Sequence, residues 1–335
     1  MNPPAPVFSG RKSPLIPLTI VSIVTPSYNQ ARYLETTIRS VLEQGYPRLE
    51  YFVMDGGSQD GSPEIIQKYA GQLAGWVSEK DRGQADAINN GLKRAGGEIV
   101  AWINSDDYYL PGSIARAVKA LDEHPEAGIV YGDVLSVDGQ GRVFNLQTFR
   151  QLELPDLMAF TIISQPAVFM RRAVLEQAGP LDLSYQLLLD HQLWLRMARL
   201  APMIYLPEPL AAARYHTQAK NLARTADFGA EALRIVNWMK LDPRFAPDFE
   251  QHARHIWAGA YRLDAFYLLD GGNYTGALKA YAHAFRFRPA VVLREFHRVL
   301  FAILGLLGLG RLRGIYSAAR AILRQKDLQQ AGHKD

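Results

Sequence analysis

Two adjacent carboxylates, Asp106 and Asp107, lie in the polar turn that follows five apolar residues at positions 99–103. Such an apolar run predicts a buried strand, and an open α/β sheet binds its ligands at the carboxyl ends of its strands. Two like charges side by side repel each other, and a divalent cation relieves that repulsion. The pair therefore predicts a metal site for a phosphate-bearing substrate. The alternative is that residues 105–107 only cap a helix beginning near Pro111.

The elements that would position these carboxylates repeat along the chain. Apolar segments at residues 18–24, 51–54 and 76–78 each run into a turn with Asp or Asn, and apolar residues at helical spacing follow. Alternation of this kind predicts an α/β fold, with a doubly wound, mostly parallel sheet and helices on both faces. None of these turns is a Gly-rich phosphate loop, so we expect the phosphates to be held through the metal.

The composition is that of a globular protein, with 48% hydrophobic and 21% charged residues. The lack of cysteine excludes disulfides and thiolate metal sites and fits a reducing compartment. Residues 286–335 carry ten Lys or Arg and three acidic residues, in a chain whose net charge is +4. This asymmetry argues against a nucleic-acid partner and predicts that the tail meets an anionic surface, unless it is only the basic face of a solvated helix.

Four motifs with a shared order and spacing identify a family that the chain resembles. They are Thr25-Pro26-Ser27-Tyr28-Asn29, Asp55-Gly56-Gly57-Ser58-Gln59-Asp60, the Glu79-x-Asp81-x-Gly83-x-x-Asp86-Ala87-x-Asn89-x-Gly91 run, and Ser105-Asp106-Asp107. Together they resemble the nucleotide-sugar domain of family-two glycosyltransferases. Four linked motifs are far more specific than any one of them. The resemblance implies a Rossmann-like GT-A fold, which we place at residues 18–222.

The resemblance also implies a role for each matching position. Asp55 would accept a hydrogen bond from a ring N–H of a uracil-like or guanine-like base, and Tyr28 would pack against that ring. Asp107 would ligate Mg²⁺ or Mn²⁺ bridging the diphosphate. Two positions depart from the family pattern: Asn90 stands where Lys is frequent, and Leu189 stands where a second acidic residue is frequent. The residues implied to bind the nucleotide sugar are Pro26, Tyr28, Asn29, Asp55, Asp81, Asp86, Asp106 and His216.

Asp190 is the candidate catalytic base. It follows three leucines at the start of a predicted helix, and apolar surroundings disfavour the charged form of a carboxylate. The family pattern places its catalytic base just before a Leu-Trp-Leu-Arg helix, which is where Asp190 falls. The alternative is that Asp190 is a helix N-cap. For His216, contact with the diphosphate or the metal and a position as a surface imidazole remain equally open.

Past residue 222 the pattern becomes helical, so we expect an all-α accessory region at residues 223–335. Residues 272–289 resemble one tetratricopeptide-like helical hairpin, which has to pack on the preceding helices. Residues 299–310 are all apolar or glycine and are flanked by arginines. They are too short to span a bilayer, which takes roughly 20 residues. Peripheral membrane attachment or a packed bundle core would both accommodate them.

The sequence thus predicts a metal-dependent, inverting glycosyltransferase with a flexible arm at residues 1–17. The expected donor is a nucleoside diphosphate sugar, with a UDP-sugar favoured, and the expected acceptor is a surface glycan or a lipid-linked glycan. The expected location is cytoplasmic, at the inner face of the plasma membrane. Two alternatives stay open: a non-catalytic scaffold that keeps the fold, and a nucleotidyltransferase.

Overall fold

The structure is a computed structural model that describes residues 19–216 and 224–308. Three sequence predictions lie outside these residues. They are the flexible arm at 1–17, the boundary between the two regions at 222 and 223, and the chain from 309 onward, which includes the end of the apolar segment 299–310.

A nine-stranded sheet forms the centre of the described structure. Its strands are β1 (Val21–Ser27), β2 (Leu49–Asp55), β3 (Gly75–Ser78), β4 (Ile99–Trp102), β5 (Tyr108–Tyr109), β6 (Ile129–Asp138), β7 (Val143–Gln147), β8 (Val168–Arg171) and β9 (Met203–Tyr215). The spatial order is β3-β2-β1-β4-β8-β6-β9-β5, and β7 pairs with β6. Strands β1 to β4 are mutually parallel, as predicted, so their carboxyl ends meet at one edge of the sheet.

Helices cover both faces of the sheet, which confirms the predicted α/β class. The helices before residue 200 are Ala31–Leu42, Ser62–Tyr69, Gln84–Leu92, Ser113–Glu123, Leu154–Met158, Arg172–Ala178 and Leu189–Ala198. On one face, the helices that begin at Ala31 and Ser113 bury their apolar sides against the sheet. On the other face, the helices that begin at Gln84 and Leu189 pack into a second core cluster.

The C-terminal helices are joined to this second core cluster. They are Phe228–Leu241, Ala246–Asp270, Tyr274–Phe287, Pro289–Arg294 and Phe296–Leu306. Phe228, Ile235 and Phe249 belong to the same buried cluster as Trp102 and Trp194 of the sheet domain. The first two C-terminal helices therefore share a hydrophobic core with the sheet domain.

Three local predictions differ from the structure. A strand over residues 165–170, which the apolar run 167–170 predicts, begins later in the structure: Gln165–Ala167 is a 3-10 turn, and Val168–Arg171 pairs antiparallel to β4 and β6. Pro166 has no N–H for a strand ladder, and the Gln165 side chain instead donates to the Trp102 carbonyl at 2.7 Å. A last strand over residues 210–215, which the apolar run 210–213 predicts, begins earlier, at Met203. Residues 272–289, where the sequence predicts a helical hairpin, hold one full helix, Tyr274–Phe287, and the first residue of the next, Pro289.

A close approach between the two regions gives a stability prediction. A Cβ at Gly259 would lie 2.0 Å from the carbonyl oxygen of Ala159, a backbone atom that cannot move without shifting its helix. We expect Gly259→Ala to lower the free energy of unfolding by about 1–3 kcal/mol, as overpacking does. Gly71→Ala is the matched control, because its Cβ would meet nothing within 4 Å. Denaturant unfolding of both variants measures the difference, and equal stability would contradict a tight junction.

Candidate active site

The turn after β4 is fixed by hydrogen bonds to its backbone. The Thr37 hydroxyl lies 2.9 Å from the carbonyl oxygen of Ser105 and 2.6 Å from that of Asp107. The Asp107 N–H donates to the Asn104 carbonyl at 3.1 Å. Because these hydrogen bonds hold the main chain of the turn, they also fix the directions in which the Asp106 and Asp107 side chains point.

Asp107 is a buried carboxylate, with 7% of its surface exposed. Its Oδ1 accepts a hydrogen bond of 2.9 Å from the Arg214 backbone N–H on β9, and its Oδ2 lies 3.4 Å from the Asn104 amide nitrogen. Burial, followed by the negative charge of Asp106, raises the pKa of Asp107 well above its usual range. A nearby cation would favour the charged form and reverse this shift.

Asp106 points to His216. The His216 Nε2 lies 3.0 Å from Oδ2 of Asp106, and the imidazole packs against the ring of Tyr33, with the two ring centroids 4.8 Å apart. The His216 side chain is only 7% exposed, so the interpretation as a surface imidazole is wrong. His216 instead lies beside the carboxylate pair, in contact with Asp106.

The helix-cap alternative for residues 105–107 is also wrong. The next helix begins at Ser113 after Gly112, and no side chain caps it. The carboxylate oxygens of Asp106 and Asp107 have the partners described above, none of which is a helix N-terminus.

The residues at this turn fit a hard divalent cation in their donor chemistry. Carboxylate oxygens suit Mg²⁺ and Mn²⁺. The Arg214 guanidinium offsets part of the negative charge at Asp107, but burial and the charge of Asp106 outweigh it. Within residues 19–216 and 224–308, no three acidic or histidine side chains form a closed metal cage. Mg²⁺ is commonly bound by one or two carboxylates together with substrate phosphates, so an incomplete protein ligand set is compatible with it.

Asp55, at the end of β2, is 2% exposed and already heavily hydrogen-bonded. Its Oδ2 accepts from the backbone N–H groups of Gly57 and Ser58 and from the Ser78 hydroxyl, at 2.7 to 3.2 Å. Among the described residues, its Oδ1 accepts one hydrogen bond, from the Ser58 hydroxyl at 2.5 Å. With one hydrogen bond against the three on Oδ2, Oδ1 is the oxygen that keeps capacity for a ligand N–H.

The first motif, residues 25–29, has three buried and two exposed members. Pro26 is buried in β1, whereas Tyr28 is 64% exposed and its ring is free to receive a flat ligand. Asn29 adopts a left-handed backbone with φ of 52°, and its side-chain oxygen accepts from the Gln59 N–H at 3.0 Å. Asn29 therefore joins the first turn to the second.

The third motif lies across the same edge of the sheet. Asp81 accepts a hydrogen bond of 2.7 Å from the Gly83 N–H, and its carboxylate is close to Gly56 of the second turn. Gln84 donates to the Asn104 side-chain oxygen at 2.7 Å, which connects the third motif to the fourth. Asp86 makes no such connection and instead forms an ion pair with Arg82, at 2.8 Å. The hydrogen bond from Arg82 lowers the pKa of Asp86.

Asp190 lies in the first turn of helix Leu189–Ala198 and is partly exposed. Leu188 occupies the N-cap position, so Asp190 is not the N-cap, although its Oδ1 accepts from the His191 N–H at 2.7 Å. Burial of the carboxyl raises the pKa of Asp190 to about 6, with a smaller contribution from the charge of Glu231. A carboxylate with this pKa is ionised at neutral pH and can accept a proton there.

Sequence reasoning missed Glu231, which comes from the C-terminal helix Phe228–Leu241. Its two carboxylate oxygens accept hydrogen bonds of 2.8 to 2.9 Å from the backbone N–H groups of Gln186, Leu187 and Leu188, directly before Asp190. No local pattern could have indicated a contact across this sequence separation.

Tyr267 also brings the C-terminal helices to this site. Its ring stacks on Phe228 with the ring centroids 3.6 Å apart. Burial, followed by the charge of Asp190, raises the pKa of Tyr267, and burial, followed by the charge of Asp107, raises the pKa of Tyr215.

The structure resembles solved glycosyltransferases over nearly its whole length. The likeness covers 93% of this chain and 92% of the TarS 1-349 chain from S. aureus, solved in complex with UDP, with a TM-score of 0.58 and 18% identity. It covers 92% of this chain and 88% of the mannosyltransferase PcManGT from Pyrobaculum calidifontis, solved with GDP-Man and Mn²⁺, with a TM-score of 0.58 and 22% identity. At these identities the likeness shows the GT-A fold alone.

The sequence comparisons give the family. Residues 22–178 match the model of glycosyl transferase family 2. The putative teichuronic acid biosynthesis glycosyltransferase TuaG of Bacillus subtilis is 31% identical over 168 residues, which is 49% of this chain and 66% of that protein. An uncharacterized glycosyltransferase of Rickettsia conorii is 28% identical over 211 residues, 60% of this chain, and the chain spans only 35% of its length. Residues 22–178 of this chain are therefore a family-two glycosyltransferase domain.

The raised pKa of Asp190 gives a prediction that needs no substrate. The carboxyl ionises near pH 3.8 when unfolded and near 6 when folded, so the folded state binds the proton more tightly and stability falls as the pH rises between those values. We expect Asp190→Asn to be more stable than the wild type at pH 8, by about 1–3 kcal/mol after allowing for partial exposure, and equally stable below pH 4.

Denaturant unfolding across this pH range measures the effect. Asp122→Asn, at an exposed helical position, is the control and should not change the pH dependence. If Asp190→Asn were instead less stable at every pH, the carboxylate would be a structural helix-end group.

Proposed function

We propose that the chain transfers a sugar from a nucleoside diphosphate sugar to a hydroxyl of a surface glycan or lipid-linked glycan. The observation that carries this proposal is the buried Asp107 beside Asp106, at the carboxyl end of β4, within a family-two domain. TuaG is named for teichuronic acid biosynthesis, which supports a cell-surface acceptor. TarS was solved with UDP and PcManGT with GDP-Man, so both nucleotides are candidates, with UDP favoured.

The nucleotide is assigned to the edge formed by the first three motifs. The exposed ring of Tyr28 offers a stacking surface, and the remaining capacity of Asp55 Oδ1 suits a ring N–H. Asp81 and Asp86 border the base and the ribose in this arrangement, while Asp106 and His216 face the sugar and the diphosphate. Pro26 and Asn29 act through the backbone, because they shape the first turn.

Asp107 is assigned to hold Mg²⁺ or Mn²⁺. The bound ion would neutralise negative charge on the leaving diphosphate. The protein's own contribution is to keep the Asp107 carboxylate fixed, through the Arg214 N–H and the Asn104 amide. Mn²⁺ in the PcManGT complex supports this assignment.

Asp190 is assigned as the general base. Its carboxylate takes the proton of the acceptor hydroxyl as the acceptor oxygen forms a bond to the anomeric carbon and the bond to the diphosphate oxygen breaks. One in-line displacement inverts the anomeric configuration. The pKa of about 6 keeps this carboxylate basic yet ionised at neutral pH.

Two substitutions separate the roles of the carboxylates. With Mn²⁺ and a panel of UDP-, GDP- and dTDP-sugars, we expect Asp107→Asn to lose metal-dependent donor binding, because it removes half of the local negative charge. Asp190→Asn should keep donor binding but lose about 10²–10⁴-fold in turnover, as loss of a general base does. Donor binding by calorimetry and release of the nucleoside diphosphate are the measurements.

Asp122→Asn is again the matched control, because it removes an exposed aspartate far from any motif. If no nucleotide sugar binds to the folded wild type, the scaffold alternative replaces the enzyme. Membership of a glycosyltransferase family argues against the nucleotidyltransferase alternative.

The pH dependence of turnover tests the contact between Glu231 and the segment before Asp190. We expect the wild-type rate at saturating donor to rise with pH through about 6, as Asp190 ionises. Glu231→Gln removes a like charge that raises the pKa of Asp190, so the midpoint should move to lower pH. The maximal rate should also fall, since an amide cannot accept three N–H bonds as a carboxylate does. A pH profile with an unchanged midpoint would contradict this coupling.

A further inference from the structure

The last described helices carry a row of exposed apolar side chains, which we call the apolar stripe. Each member is 41% to 68% exposed. They are Leu293 near the end of helix Pro289–Arg294, then Phe296, Leu300 and Ile303 on helix Phe296–Leu306, and Leu307 directly after it. The last four recur every three or four residues, so they lie along one face of the second helix.

The opposite face of helix Phe296–Leu306 is already packed inside the protein. Ala302 is fully buried, and Phe301 meets the ring of Tyr274, with centroids 6.2 Å apart. A Cβ at Gly305 would collide with the same tyrosine ring. The helix is therefore apolar on both sides, which is typical of a helix covered by a core or by lipid.

The charges around the stripe are positive. Arg286, Arg288 and Arg294 are exposed, and among residues 19–216 and 224–308 none of them forms an ion pair. Glu295, the single acidic residue between 286 and 308, turns inward, where it accepts from Arg262 at 3.2 Å and from the Tyr281 hydroxyl at 2.9 Å. The outer surface thus keeps its positive charge.

A basic groove opens where the first of these helices begins. Its volume is about 640 Å³, and its lining includes Arg254, His255, Arg286, Arg288 and Pro289. Glu250 is the acidic side chain in its lining, which also holds three arginines. Such a groove suits a phosphate group, because cationic donors outnumber acidic groups in its lining.

We propose that the apolar stripe and the basic groove dock the protein onto an anionic phospholipid bilayer. The stripe inserts at the boundary between headgroups and acyl chains, while the arginines meet lipid phosphates. No helix in the part of the chain that the structure describes is long and apolar enough to cross a membrane, which agrees with attachment to the surface. A second copy of the chain is a poorer occupant, because a twofold contact would bring the same unpaired arginines together.

Vesicle binding of the full chain tests the proposal. We expect it to co-sediment with vesicles that contain phosphatidylglycerol and much less with pure phosphatidylcholine vesicles, and high salt should reduce the binding. The double variant Leu300→Glu, Ile303→Glu should lose at least about tenfold in vesicle affinity, because it places two charges in the acyl boundary. Arg294→Gln should lose about fivefold toward anionic vesicles only, the loss expected for one basic residue near such a surface.

Leu241→Glu is the matched control, since Leu241 is 79% exposed on another helix and should not affect vesicle binding. The double variant should keep the wild-type melting temperature and the wild-type donor turnover in solution, which separates this proposal from the catalytic one. A lower melting temperature of the double variant would mean that another part of the chain covers the apolar stripe. If the wild type is a dimer without vesicles and the double variant is a monomer, a second copy of the chain covers the stripe. Either outcome would overturn membrane docking.

Discussion

The arrangement of the site depends on one electrostatic constraint, the burial of a carboxylate beside a second carboxylate at the end of the central strand. Asp107 cannot relieve its charge by hydration, so the fold surrounds it with donors. The Arg214 main chain approaches it from β9, and Asn104 reaches it from its own turn. The same Arg214 also donates its Nε–H to the Asp106 carbonyl, at 2.9 Å. The far strand of the sheet therefore has to return to the central turn, which explains the length of β9.

The candidate site depends on two regions that a reader of the sequence would separate. The carboxylate pair and Asp190 belong to the sheet domain, whereas the segment before Asp190 is held by Glu231 from a C-terminal helix. The charge of Glu231 also contributes to the raised pKa of Asp190. The packing of the C-terminal helices therefore affects the environment in which Asp190 ionises.

Much of this could be read from the sequence, because its signals are local. Apolar runs followed by Asp or Asn turns predicted the parallel strands, and the motif spacing indicated the family. The contact between Asp106 and His216 was not predicted, because the two residues are 110 positions apart in the sequence. Long-range contacts could not be read in this way: the Gln165 side chain replaces a strand bond at Trp102, and Glu231 binds three N–H groups more than forty residues away. Such bonds depend on how distant elements pack, which periodicity does not encode.

The contact between Gly259 and the Ala159 carbonyl has a consequence for how this architecture can change over evolution. Because this contact has no room for one added methyl group, a helix that packs against Ala159 needs a glycine at the crossing. Exchange of the helical segment between relatives would have to preserve a glycine at this crossing and the carboxylate that receives the loop before Asp190. Recombination at this boundary is therefore constrained, and new acceptor specificities are more readily acquired by substitutions on the exposed turns than by replacement of the whole segment.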